Sequence, residues 1–323
     1  MTKDYKPPFL QNENSPCLLK PAFQPFDPIK VAMATEHVVC HGNKRKYSHF
    51  GSTINYQTGI ATGYTVGCCL RCIFCWSSDT RDHPNKTANF YSPQEVFVRL
   101  TKIARKRKLS QIRISDGEPT IGKSHLLGLL ELVEQSDFKR FVLETNGILL
   151  GHDKDYVKSL VKFKKLWVRV SIKAGTPESF TQKTGAIPEA LELQFQAIRY
   201  LHAEGINFDV AAMSADPRFM SPQERVSLIV KLGEIDHSIV LNLEEEMVIL
   251  YTETLNRLKA IGWSFNENQL IALQKIPFLR RFLQVSYQPI SSLAHIKISK
   301  RATIKAIKEL FYTNIKKEKN QAE

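Results

Sequence analysis

The sequence predicts an α/β fold built on a parallel sheet, and three observations carry the prediction. Between residues 60 and 261, short runs rich in β-branched and aromatic residues alternate six times with longer runs of helical periodicity. That is the order expected of strand–helix–strand units with right-handed crossovers. The predicted strands end at Gly67, at Asp116-Gly117 and at Thr145-Asn146-Gly147. Polar or glycine-bearing turns at the ends of parallel strands are where α/β barrels place their functional loops. Ser-Pro-x-Glu occurs twice, at Ser92–Glu95 and Ser221–Glu224, and each reads as a capping box with proline in the first turn of a helix. Six units are too few for a closed eight-stranded barrel, so the expected architecture is a partial barrel of six β/α units.

Taken in order, residues 1–55 are expected to be an irregular N-terminal extension. Pro7, Pro8, Pro16, Pro21, Pro25 and Pro28 break any long helix or central strand. Phe9, Phe23 and Phe26 can pin the segment to the main body, and Lys44-Arg45-Lys46 reads as solvated surface. Residues 56–263 hold the repeating units. Ile60–Val66 is the first strand, followed by a helix from Ser92 to about Lys108 with Val96, Leu100 and Ile103 on one face. The second strand is Gln111–Ser115 and its helix Gly122–Gln135; the third is Arg140–Glu144 and its helix Asp153–Phe163. Leu166–Ile172 is the fourth strand, and the helix Pro188–Glu204 stops at Gly205. Asn207–Met213 and Ser238–Leu243 are the fifth and sixth strands, followed by helices from Ser221 and over Ile249–Ile261. Residues 264–323 are read as a basic helical extension with helices at Pro277–Val285 and Ile304–Lys316.

Composition narrows the class. Hydrophobic residues make up 43% of the 323, which is ordinary for a globular protein. No apolar run approaches the roughly 18 residues a bilayer span needs, and the N-terminus lacks the apolar core of a secretory signal. The cytoplasm is therefore the expected compartment, with no membrane partner. The net charge of +13 and pI near 9.4 admit a polyanionic partner such as RNA. The charge is spread over several helices and a tail, however, and not gathered in one aromatic-laced patch.

Chemistry concentrates in one loop. Four of the six cysteines, Cys68, Cys69, Cys72 and Cys75, fall within eight residues, which is no disulfide framework. Leaving out Cys69 gives Cys68-x3-Cys72-x2-Cys75. Three thiolates on a short loop can hold an iron–sulfur cluster. A four-iron cluster with three protein ligands keeps one iron open, the feature that separates a catalytic centre from a closed one. A zinc site is the alternative, since Cys69-x2-Cys72 has knuckle spacing and His83 is the nearest further ligand. Cys17 and Cys40 are expected to be inert thiols. No cysteine follows Cys75, so a second C-terminal cluster is not expected. The polar segment Ser77–Asn85 reads as a surface loop, or as a lid with Arg81 and His83 as contacts.

The loop CCLRCIFCW, with GEPT (Gly117–Thr120) and TNG (Thr145–Gly147) following in order, resembles the motif set of radical S-adenosylmethionine (radical SAM) enzymes. The resemblance spans roughly Ile60 to Trp263 and implies a partial (β/α)6 TIM-like barrel. It implies that Cys68, Cys72 and Cys75 bind a [4Fe–4S] cluster whose open iron is chelated by S-adenosylmethionine, and that Cys69 is not a ligand. In the family, Gly117 and Glu118 would meet the methionyl amino group, with Glu118 exposed to accept it. Phe74 would pack near the adenine, and Asn146 and Ser171 would contact the ribose and carboxylate. Lys173, on the same strand face as Ser171, would meet the carboxylate or a substrate anion, and Arg169 would line the barrel interior. Asp116 stands where the family more often has a first glycine.

The reaction this implies is reductive cleavage of S-adenosylmethionine to methionine and a 5′-deoxyadenosyl radical, which abstracts hydrogen from a substrate. A reductant such as ferredoxin or flavodoxin is implied as partner. FCW resembles the wybutosine-forming enzyme of transfer RNA, and the single-cluster layout resembles activases of glycyl-radical enzymes. A small molecule, tRNA or a protein therefore all stand as substrate classes. The non-enzymatic alternative is an iron–sulfur electron carrier or binding protein.

Overall fold

The computed structural model describes residues 24–53, 59–86 and 88–263. Phe9, Phe23, Cys17 and the predicted helices at 277–285 and 304–316 lie outside them. A nine-stranded sheet organises the described residues. Its strands are β1 (Cys40–His41), β2 (Lys44–Thr53), β3 (Ile60–Thr65), β4 (Asn89–Tyr91), β5 (Gln111–Ser115), β6 (Arg140–Thr145), β7 (Leu166–Ile172), β8 (Phe208–Ala212) and β9 (Glu244–Glu245). The six strands β3, β5, β6, β7, β8 and β9 pair in that order and all in parallel. β2 adds an antiparallel margin on β3 and also pairs with β1 and β4. β1 and β9 are the two ends of the pairing path, so the sheet is open. This is the mixed α/β, parallel-dominated partial barrel expected from the alternation.

Period-two patterning divides the sheet's faces. Ile112, Ile114, Phe141, Leu143, Val168, Val170 and Val210 are buried in the hydrophobic core, which they share with helix residues Leu126, Leu129, Leu130, Phe195 and Ile198. The alternate positions, Arg113, Ser115, Glu144, Arg169 and Ser171, share the other face. The crossover helices cover the apolar face, while Arg113 and Arg169 are themselves buried on the other.

Three expectations need correction. The run Ser238–Leu243 is not the sixth strand. A short helix covers His237–Leu241, capped by Asp236, whose side chain accepts from Ser238 N at 2.6 Å. The parallel strand is β9, just beyond it. A short apolar run does not distinguish strand from helix by periodicity, and here the cap decides. Residues 24–53 are also far from irregular: a helix spans Pro28–Val39 and β2 runs ten residues. Pro28 does not break that helix but starts it, with Asp27 as N-cap. Phe26 does pin the segment, being 7% exposed and bridged to Ala186. Lys44-Arg45-Lys46 is not a solvated run either, since Arg45 is fully buried and Lys46 nearly so.

The predicted caps are present in different degrees. Ser92 and Glu95 form the full reciprocal box on Pro93–Arg107. Ser221 caps Pro222–Ile235 through Glu224 N at 3.1 Å. The Glu224 carboxylate, however, turns inward to Lys183 Nζ at 2.6 Å and Gly175 N at 2.8 Å, so the second box is half made.

Candidate functional site

The cysteine loop leaves β3 through Val66 and Gly67 and crosses the C-terminal mouth of the sheet. Its backbone is tied to distant chain: Gly67 N donates to Thr80 O at 3.1 Å, Arg71 N to Thr184 O at 2.9 Å and Ile73 N to Lys183 O at 2.9 Å. Cys68, Cys69 and Cys72 are buried and Cys75 half-buried; all four are free thiols. Their environments differ. A hydrogen bond from the Cys69 thiol holds Cys68 down to about 7, against the penalty of burial. Burial pushes Cys72 up to about 12, opposed chiefly by the Lys173 ammonium. Burial also raises Cys75, opposed by Arg81 and Arg257.

The donor chemistry fits a four-iron cluster. Each thiolate of such a cluster takes a different iron, so its ligands need not converge on one point. Backbone N–H groups already reach two of the sulfurs, Leu70 N to Cys68 Sγ at 3.4 Å and Ser77 to Cys75. These donors suit a thiolate or a metal-bound sulfur. Among the described residues, no three His, Cys, Asp or Glu side chains are placed to hold a single metal ion.

The turn after β5 comes up beneath the loop. Asp116 and Gly117 both adopt left-handed backbone, φ 62° and 53°. A Cβ on Gly117 would stand 2.5 Å from Gly67 O and 3.1 Å from Val66 C, so glycine is needed for both conformation and approach. Glu118 N donates to Gly67 O at 2.8 Å, joining turn to loop. Asp116, in place of the expected glycine, accepts from Ser77 Oγ at 2.6 Å and so ties the turn to the far end of the cysteine loop.

Glu118 is not exposed. It is 0% exposed, and four donors fill its oxygens: Thr120 N and Oγ1 and Thr145 Oγ1 on one, Asn146 N on the other. Its carboxylate binds the β5 turn to the end of β6 and is closed off from solvent. Asn146 lies over the cysteines, its Nδ2 3.3 Å from Cys69 Sγ and 3.6 Å from Cys68 Sγ. At the end of β7, Lys173 Nζ donates to Ser171 Oγ at 2.7 Å. Phe74 is 4% exposed and meets Phe219 edge-on at 5.8 Å. The structure thus gathers Cys68, Cys72, Gly117, Asn146, Ser171 and Lys173 at one mouth. It turns Glu118 inward and packs Phe74 against the segment after β8.

Ser77–Asn85 is not a loose surface loop. A helical turn covers Ser78–Asp82, with Arg81 and Asp82 buried. Arg81 pairs with Asp82 through Nη2 at 2.5 Å and Nε at 2.8 Å.

Below the mouth, the polar face of the sheet carries a chain of charges. Arg113 bonds Thr62 Oγ1 at 3.1 Å and Glu144 Oε1 at 3.0 Å. Ser115 Oγ donates to Glu144 Oε2 at 2.5 Å. Arg169 reaches Glu244 at 2.9 Å and Glu246 at 2.6 Å. The interior role expected of Arg169 is therefore observed. Arg113 and Glu144 were missed, although each is a charge at a period-two position of a strand predicted to be buried. Arg45 was missed for want of any pattern. It clamps Val66 O at 2.8 Å and Ile121 O at 2.9 Å, and nothing in a basic tripeptide marks its middle member as buried.

Residues 63–215 match the family model described as Radical SAM superfamily. Over 210 residues the chain is 28% identical to a Thermococcus kodakarensis protein named "Probable GTP 3′,8-cyclase", covering 62% of this chain and 61% of that one. It is 30% identical over 149 residues to a GTP 3′,8-cyclase of Peptoclostridium acidaminophilum, covering 44% and 42%. The chain thus spans about three fifths and two fifths of the lengths of these relatives. Among solved structures, Streptococcus suis SuiB bound to its precursor peptide SuiA aligns at TM-score 0.47 and 18% identity, over 68% of this chain and 43% of that one. The structure of anSMEcpe with bound AdoMet aligns at TM-score 0.44 and 18% identity, over 61% and 57%.

Proposed function

We propose that this chain, an enzyme belonging to the radical SAM superfamily, binds a [4Fe–4S] cluster through Cys68, Cys72 and Cys75 and cleaves S-adenosylmethionine reductively. One observation carries the reading: the cysteine loop, the Asp116–Glu118 turn, Asn146 and the Ser171–Lys173 pair meet at one mouth of the sheet. Held by Cys68, Cys72 and Cys75, such a cluster would supply the electron for reductive cleavage of S-adenosylmethionine to methionine and a 5′-deoxyadenosyl radical, the species that would take hydrogen from the substrate.

The chain's residues do the positioning. The backbone at Gly117 offers close approach to the methionyl group. Glu118 holds that backbone in place, a role that needs its burial. Lys173 supplies a cation for the ligand's carboxylate, with Ser171 orienting the ammonium. Asn146 offers an amide beside the sulfurs, and Phe74 an aromatic wall for the adenine. The charged interior at Arg113, Glu144 and Arg169 faces the substrate side. A low-potential reductant such as ferredoxin or flavodoxin is the implied partner. The relatives are named for a reaction of GTP, so a purine nucleotide is the first substrate to test, ahead of tRNA or a protein.

The test is anaerobic. The protein is reconstituted with iron and sulfide, reduced, and given S-adenosylmethionine with and without GTP; 5′-deoxyadenosine is then quantified, with Cys72→Ala as control. Production by the wild type alone is the expected result. A wild type that holds four irons and yields none under any of these conditions would move the electron-carrier reading ahead.

A further inference from the structure

We propose that Arg71, Arg81 and Arg257 form a positioning shell that fixes the cysteine loop and sets its redox poise, an inference that rests on the cluster reading above. Each guanidinium takes the carbonyl oxygen of a different candidate ligand. Arg71 Nη1 donates to Cys68 O at 2.8 Å and Leu70 O at 2.9 Å. Arg81 Nη1 donates to Cys72 O at 2.9 Å. Arg257 Nη1 donates to Cys75 O at 2.7 Å and Ile73 O at 3.3 Å. The three cations come from the loop itself, from the helical turn after it, and from a helix at Thr252–Ala260 far along the chain.

The shell also brings cations close to the loop. Asp82 is the carboxylate between Arg71, at 3.1 Å, and Arg81, at 2.5 Å. Arg257 adds a third guanidinium, beside Cys75. Reduction adds negative charge to a cluster, and buried cations beside it favour the reduced form. Cluster potentials respond to net charge, to hydrogen bonding and to exposure, and charges interact more strongly away from water. The shell therefore eases the delivery of an electron to a centre with three anionic ligands. It also makes the helix at 252–260 part of the site. Tyr251, at the head of that helix, meets Trp76 edge-on at 5.8 Å, which seats the helix beside Cys75.

Arg257 is the informative member. Arg71 and Arg81 are buried, and truncating either removes one of the two buried guanidiniums that hold Asp82. Arg257 is half-buried and can be replaced without that penalty. Wild type, Arg257→Gln and Arg257→Lys are reconstituted, checked for iron content and thermal melting, and titrated electrochemically with EPR detection of the reduced cluster. The expected result is equal iron in all three, a midpoint shifted to lower potential in Arg257→Gln, and a midpoint returned toward wild type in Arg257→Lys. A folded, fully loaded Arg257→Gln with the wild-type midpoint would overturn the inference. Equal falls in the Gln and Lys variants would overturn its electrostatic basis. A wild type that takes up no iron would instead remove the cluster reading, and the shell with it.

Discussion

Glu118 has no contact with solvent, and four donors from three residues surround its carboxylate. Removing it leaves Thr145 Oγ1 and the Asn146 and Thr120 amides in the interior without an acceptor, at about 1–3 kcal/mol for each group stranded. Glu118→Ala is therefore expected to lose about 3 kcal/mol or more of stability in urea titrations. Glu118→Gln, which keeps one acceptor oxygen for the Thr120 and Thr145 donors but turns an NH2 toward Asn146 N, should lose less than Ala. A Glu118→Ala protein of wild-type stability with only weakened S-adenosylmethionine binding would return Glu118 to direct ligand contact. The motif was legible in the sequence, yet the direction of its carboxylate was not. A Gly-Glu-Pro string says where a turn lies. Which way the acid points depends on Thr145 and Asn146, some thirty residues later.

The best-read elements were those with a local signal at each end. Pro93–Arg107 carries its start in Ser92 and Glu95, and Ser92→Ala should cost about 1 kcal/mol in chemical denaturation. Ser221→Ala should cost a comparable amount, because the Ser221 bond is made even though Glu224 does not reciprocate. The strands Gln111–Ser115 and Leu166–Ile172 were read to the residue, since both alternate cleanly between core and polar faces. Ser238–Leu243 was misread because its apolar content is high and its period undefined over six residues. The N-terminal helix was missed for the opposite reason: a proline counted as a breaker is its first residue. Arg45 shows the limit most plainly. Its burial is settled by carbonyls of Val66, Glu118 and Ile121, which no local pattern brings together.

At the scale of the whole molecule, pH acts through groups held neutral in the interior. His125 is 3% exposed, between Tyr47 Oη at 2.9 Å and Asn43 O at 2.8 Å. Burial lowers its pKa to about 4, with the Arg45 charge in the same direction and the Asn43 bond opposing. The unfolded chain takes up this proton near the ordinary 6.5, so acid favours unfolding. Stability is lost as pH falls from about 6.5 to about 4, by up to about 1.4 kcal/mol per pH unit. Comparing wild type with His125→Gln in urea at pH 7 and at pH 4.5 isolates this group. The gap between them should narrow on acidification, and a constant gap would assign the acid sensitivity elsewhere.

The ties of the cysteine loop to Thr80, Lys183 and Thr184 have a consequence for assembly. Segments that order only when they bind their ligand pay the entropy of ordering at that moment and lose affinity by it. Here the loop's backbone is stitched to Thr80, Lys183 and Thr184, so most of its ordering belongs to the same cooperative unit as the sheet, and loosening any of those ties would loosen the proposed ligands with it.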